Sequence, residues 1–158
     1  MQEKKIDLHY KIYTSVAELK EEDQQLIDKA KKASLNAYAP YSQFRVGTAI
    51  LLDNQEVITA NNQENISYPE GLCAERTALF YTSANFPKNT IKTIAIVGNN
   101  SLKTTDKPIT PCGGCRQVMA EYEGKQQSKI RVLMAGVEGK IIEVNGIDNL
   151  LPFRFVMD

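Results

Sequence analysis

The sequence predicts an α/β domain, a mixed five-stranded β-sheet flanked by helices, and three observations carry that reading. Helix-patterned segments alternate with β-rich apolar runs through the middle of the chain, which implies right-handed crossovers and partly parallel pairing. Pairs of β-rich runs around short polar turns stand toward both ends, which implies antiparallel hairpins. The length, 158 residues, is that of one domain, and the chain shows no repeat, low-complexity tract or interdomain linker. Residues 1–20 have weak periodicity and read as an N-terminal arm; residues 21–158 read as a single domain.

The elements follow in order. Leu26, Ala30, Ala33 and Ala37 mark one helical face, with Lys29, Lys31 and Lys32 on a solvated surface. That helix is expected to end near Ala39-Pro40, because a residue before proline avoids the helical region. The runs 45–52 and 56–60 flank the turn Asp53-Asn54-Gln55 and read as a hairpin. Residues 61–71 are polar loop, and Cys73 to Asn85 reads as a helix. Residues 91–97 form a β-branched strand, 98–107 a loop, and Gly113 to Glu123 a further helix. Strands at 130–135 and 141–144 surround the turn at 137–140, and the tail from Ile147 to Phe155 has room for a short helical turn.

Composition narrows the function. Nineteen basic and nineteen acidic residues leave no net charge, which argues against nucleic acid or an anionic membrane as a partner held by bulk electrostatics. The longest stretch without a charged side chain is twelve residues, Ala33 to Phe44, short of the roughly 20 that span a bilayer. The segment Met1 to Tyr10 has no apolar core of the kind a signal peptide needs. The expectation is a cytoplasmic protein whose cysteines are ligands or catalysts rather than disulfides.

There are three cysteines. Cys73 opens Cys73-Ala74-Glu75-Arg76, and the other two lie in Pro111-Cys112-Gly-Gly-Cys115-Arg116-Gln117. Each motif stands at the start of an expected helix, where the helix dipole favours thiolates. The two-residue gap between Cys112 and Cys115 lets both sulfurs reach one ion, and Cys73 would supply a third. Three sulfurs on zinc leave one tetrahedral position open, the pattern of catalytic rather than structural zinc. Glu75 lies two residues from a ligand and can approach a water there without binding metal, as a proton carrier. Three thiolates overcompensate the charge of zinc; Arg76, one helical turn beyond Cys73, is placed to offset the excess.

Other readings of the same residues stay open at this point. His9, the single histidine, could close a structural zinc site as a fourth ligand. Cys112 and Cys115 could form a thioredoxin-type dithiol, which leaves Cys73-Ala74-Glu75 unexplained. All three cysteines could be small buried hydrophobes. Taken singly, Phe44 reads as a core aromatic, Asn62 and Glu64 as loop polars, and Phe155 as a tail hydrophobe.

Together these residues resemble the zinc-dependent cytidine deaminase family in its small three-cysteine form, described by an all-cysteine site, a P-C-x-x-C element and a non-ligand glutamate. The resemblance covers roughly residues 24 to 155. It rests on Tyr41-Ser-Gln-Phe-Arg-Val-Gly47, Asn62-Gln-Glu-Asn65, the two cysteine motifs and Leu150-Leu-Pro-Phe-Arg-Phe155, in that order. It implies a three-layer α/β/α fold and one zinc per chain on Cys73, Cys112 and Cys115, with Glu75 as catalytic proton shuttle and Arg76 compensating thiolate charge. It implies substrate contacts from Phe44 against the base, Asn62 and Glu64 on the ribose, and Ala74. Tyr68 and Phe155 would act across subunit interfaces of a homotetramer with shared active sites.

The activity so implied is hydrolytic deamination of cytidine and deoxycytidine to the uridine products and ammonia, in pyrimidine salvage. The rival enzyme reading is a deaminase of another aminopyrimidine or of a nucleoside-like antibiotic of the blasticidin S type. The rival from another class is a structural-zinc interaction module, which would need no Glu75. Three departures accompany the resemblance: a spacing of 39 positions from Cys73 to Cys112 (112 − 73), longer than the family's and assigned to a surface insertion at 99–107; Ala60 where glycine is common; and the long arm.

Overall fold

The structure, a computed structural model, describes residues 1–100 and 105–157. Six strands form one sheet: β1 (Tyr10–Tyr13), β2 (Phe44–Leu52), β3 (Val57–Asn61), β4 (Ile91–Asn100), β5 (Arg131–Ala135) and β6 (Ile141–Asn145). Their order is β1-β6-β5-β4-β2-β3. β4 and β5 are parallel and every other pair is antiparallel. Three helices complete the fold: α1 (Glu21–Ser34), α2 (Ala74–Asn85) and α3 (Gly113–Gln126). The mixed sheet flanked by helices is as expected, but the strand count is six rather than five. The additional strand comes from the arm, where Tyr10–Tyr13 pairs with Val144–Ile141.

Period-two alternation divides the core into two layers of side chains. Ala49, Leu51, Ala95, Val97, Leu133 and Ala135 face α1, meeting Leu26, Ile27 and Ala30. Ile50, Leu52, Ile94, Ile96, Val132 and Met134 face the other way, onto Ala78 and Leu79 of α2 and Met119 and Ala120 of α3. The result is three layers, α/β/α. Central strands buried on both faces explain why 91–97 reads as a continuous apolar run rather than an alternating one.

Helix α1 stops at Ser34, five residues before the end expected at Ala39. The chain turns there, with Leu35, Asn36 and Ala37 donating to Lys32, Ala33 and Ser34 carbonyls. Tyr38 is then drawn into extended pairing, donating to Asn62 O (3.1 Å) and accepting from Glu64 N (2.8 Å). The last turns of α1 lie directly on β2 at Gly47, where a Cβ would stand 1.9 Å from Ala30 O. β4 runs on to Asn100, past the loop start expected at Gly98; of the insertion assigned to 99–107, residues 101–104 lie outside the described residues.

At the far end of α3, Glu123 is buried and accepts from Ile130 N (2.8 Å) and Ile147 N (3.1 Å). One carboxylate thus ties α3 to the start of β5 and to the short 3-10 turn Ile147–Asn149. Among the described residues no helix is long and apolar enough to cross a membrane.

Candidate metal centre

Helices α2 and α3 both start on a cysteine. Cys73 and Cys112 have extended backbones (ψ 151° and 167°) and precede the first helical residue. Their side chains cap nothing in their own helices and are free to meet. Cys73 Sγ lies 3.9 Å from Cys112 Sγ, Cys112 Sγ lies 3.4 Å from Cys115 Sγ, and all three sulfurs fall within 4.8 Å of one another. Zinc–sulfur bonds of about 2.3 Å in a tetrahedron set sulfurs about 3.8 Å apart, so this donor set fits one zinc ion. Among the described residues no fourth His, Cys, Asp or Glu joins the group. His9 lines a separate groove with Lys11, Lys129 and Arg131, so the structure does not bring it to the cysteines.

The electrostatics separate the three thiols. Hydrogen bonding from Cys115, then from the Arg76 guanidinium and Cys112, outweighs burial and holds the Cys73 thiol down to about 5. Cys115, fully buried, is pushed up, first by its bond to Cys73 and then by desolvation and the nearby Glu75 carboxylate. Arg76 Nη2 reaches Cys73 Sγ at 3.8 Å and Gly71 O at 3.4 Å.

Glu75 is 4% exposed in the first turn of α2. Burial is the main reason its carboxyl rises above the ordinary range, with the neighbouring Cys73 adding to the shift. Ala74, between Cys73 and Glu75, is fully buried.

A cleft of about 490 Å³ opens beside Cys73, lined by Tyr41, Ser42, Asn62, Glu64, Tyr68 and Leu72 among others. That volume lies in the range of small-ligand sites. Glu64 accepts from Tyr41 N (2.9 Å) and Ser42 N (3.3 Å) and from the Ser42 hydroxyl. Asn62 accepts from Val46 N (2.7 Å) and donates to Phe44 O (3.0 Å). Both side chains therefore brace the 41–46 segment, while one amide N–H of Asn62 and one carboxylate lone pair of Glu64 remain for a ligand. Tyr41 and Tyr68 meet edge to face, centroids 6.0 Å apart, across the mouth.

The structure thus brings Cys73, Cys112 and Cys115 together with Glu75 and Arg76, and places Asn62, Glu64 and Tyr68 around the adjoining cleft. Phe44 begins β2, half-buried, behind that wall rather than among the lining residues. Phe155 is not brought in: it is 72% exposed, with its backbone N–H and C=O both bonded to the Gln117 side chain. Two supporting residues escaped the sequence reading. Ser42 orients Glu64, and Arg116 donates to Pro111 O and Leu150 O (2.9 Å each), fixing the approach to Cys112. Their signal was adjacency, since each sits inside a motif already singled out.

Three thiols at two helix starts with a non-ligating buried glutamate define a hydrolytic zinc enzyme. The family model for the cytidine and deoxycytidylate deaminase zinc-binding region matches residues 20–130. The chain is 39% identical over 135 residues to a cytidine deaminase of Halalkalibacterium halodurans, covering 85% of this chain and 95% of that one. It is 36% identical to a cytidine deaminase of Sporosarcina psychrophila, covering 84% and 90%. The crystal structure of a cytidine deaminase from Burkholderia pseudomallei superposes with a TM-score of 0.71 at 39% identity, covering 83% of this chain and 97% of that one. The chain belongs to the zinc-dependent cytidine and deoxycytidylate deaminase family.

Proposed function

We propose that this protein hydrolyses the exocyclic amine of cytidine and deoxycytidine, giving uridine and deoxyuridine plus ammonia, as a cytoplasmic enzyme of pyrimidine salvage. The observation that carries the reading is the buried carboxyl of Glu75 next to three converging thiols, one of which, Cys73, lines a cleft of about 490 Å³. In this reading one zinc per chain is held by Cys73, Cys112 and Cys115. When bound, it supplies Lewis acidity, which makes water a competent nucleophile at neutral pH.

The chain's own residues do the rest. Glu75, desolvated and so willing to hold a proton, takes one from the attacking water and delivers it to N3 of the base, then takes the second from the hydroxyl that the water leaves on C4 and delivers it to the departing amine. Arg76 draws excess negative charge from the Cys73 sulfur. Asn62 and Glu64, fixed by the 41–46 backbone, offer their remaining polar groups to the ribose. Phe44 backs the base from β2, and Ala74 presents the start of α2 to the ring. The catalytic unit is residues 21–158, with residues 1–20 an arm that lends one strand to its sheet. Tyr68 and Phe155, 76% and 72% exposed, support a homotetramer in which such side chains complete a neighbour's site. Nucleic acid and membrane are not partners in this reading, in keeping with zero net charge.

The test is paired, on purified protein: metal content, then loss of cytidine absorbance with uridine identified by chromatography. One zinc per chain with turnover is the expected result. Stoichiometric zinc without turnover on either nucleoside would overturn the substrate assignment.

A further inference from the structure

The sheet ends on β1, and among the described residues no strand lies beyond it. Its backbone groups can be sorted by side. Gly146 donates to Ile130 O at 3.0 Å, so even-numbered residues of β6 bond to β5, and Glu143 and Ile141 turn theirs toward β1. Their partners are Lys11 and Tyr13. His9 N–H, on the same side, donates to Asn149 Oδ1 at 2.7 Å. Tyr10 and Ile12 of β1 therefore present their N–H and C=O groups to the open edge, and with His9 N–H turned inward Leu8 stands next in the same row before the strand, a ready template for another strand. The side chains alternate as well. Ile6, Leu8, Tyr10 and Ile12 are 49%, 51%, 61% and 53% exposed, an apolar row at period two. Asp7, His9 and Lys11 occupy the positions between them, and Lys5 pairs with Asp7 at 3.0 Å.

We propose that this edge pairs antiparallel with the same edge of a second copy, about a two-fold axis at His9. A two-fold contact must be complementary to itself, and the segment Ile6-Asp-Leu-His-Tyr-Lys-Ile12 is so only in this register. Leu8 then opposes Tyr10 and Ile6 opposes Ile12 as hydrogen-bonded pairs, using the groups that face outward. Asp7 opposes Lys11 at non-hydrogen-bonded positions, where side chains approach most closely, and the symmetry makes that opposite-charge pair twice. Moving the axis to Leu8 sets Lys5 against Lys11. Moving it to Asp7 sets two carboxylates together, and moving it to Tyr10 sets Asp7 against Tyr13 and forfeits its pairing with Lys11. The contact lies wholly outside the family-matched residues 20–130 and adds to any tetramer built from the catalytic domain.

The test is a cysteine placed on the axis of the zinc-loaded, full-length chain. Opposed residues at a non-hydrogen-bonded site have Cα atoms about 4.5 Å apart, within the range a disulfide spans. With oxidised glutathione as oxidant, His9→Cys is expected to cross-link two chains at least about tenfold faster than Lys4→Cys or Lys5→Cys, because only the axial position meets itself. Peptide mapping should identify the bond as joining residue 9 of both chains. Adding Leu8→Pro, which removes an edge-facing N–H and no bond to β6, should bring the rate down to that of the controls. Equal rates at all three positions, no cross-link from His9→Cys, or indifference to Leu8→Pro would each overturn the pairing.

Discussion

The starts of α2 and α3 use the same backbone device for different ends. Each places a cysteine in extended conformation just before the helix, with its sulfur turned away from capping. After Cys73 the α2 start continues with Ala74, Glu75 and Arg76, which bring a buried carboxyl and a guanidinium to the sulfurs. After Cys112 the α3 start continues with Gly113 and Gly114, where an added Cβ would meet nothing within 4 Å, and then with the buried Cys115. One helix start carries a buried carboxyl and a guanidinium; the other supplies two sulfurs and leaves space. Local geometry alone therefore does not make a catalytic position, since the residues one and two steps along decide its chemistry.

The largest break in this comparison should come from the α3 side. Cys115→Ser should drop zinc from one per chain to near zero by elemental analysis and abolish turnover, because a hydroxyl replaces a thiolate ligand. On the α2 side, Glu75→Gln should keep zinc and lower kcat by about 10²–10⁴, the usual contribution of a positioned acid–base group; near-wild-type kcat would remove Glu75 from the proton path. Arg76→Ala should leave the ligands intact and weaken zinc affinity by about 10–100-fold, as loss of a group bonded to a ligand does, measured by competition with a chelator.

In the metal-free reduced chain, Cys73 should alkylate at a rate already level above about pH 6, since its thiol titrates near 5. Cys115, pushed up and buried, should stay unmodified through neutral pH; peptide mapping after iodoacetamide reads the difference. The smallest effect belongs to Gly113→Ala and Gly114→Ala. Each should raise stability by at most about 1 kcal/mol through helix propensity, read as a small rise in Tm, with turnover unchanged. A large loss of turnover would show that the space itself is used.

The central strands and all three helices were legible because burial on both faces of the sheet writes continuous apolar runs, and helix packing writes a 3.6-residue stripe. β1 was not. Tyr10-Lys-Ile-Tyr13 is a four-residue edge strand whose side chains are mostly exposed, so its alternation is not anchored by a buried face, and its partner lies more than a hundred residues away in sequence. The end of α1 was missed for a related reason. Pro40 marks where a helix cannot continue, but Tyr38 leaves earlier to pair with Asn62 and Glu64, a tertiary contact with no local signature. At the site, the cysteine spacing was plain in sequence because ligand geometry constrains spacing, and Glu75 stood out by its place two residues from Cys73. The bracing of Glu64 by Ser42 was not, since it depends on how two loops meet.

The lashing of α3 by Glu123 bears on how the centre fills. Its far end is tied to β5 and to the turn at 147 by a buried carboxylate, which fixes where α3 sits on the sheet from the end opposite Cys112 and Cys115. Stripped protein should therefore recapture zinc in a single concentration-dependent phase, its speed set by encounter. A plateau at high zinc, the mark of a slow rearrangement before capture, is the behaviour that loosening this tether should introduce.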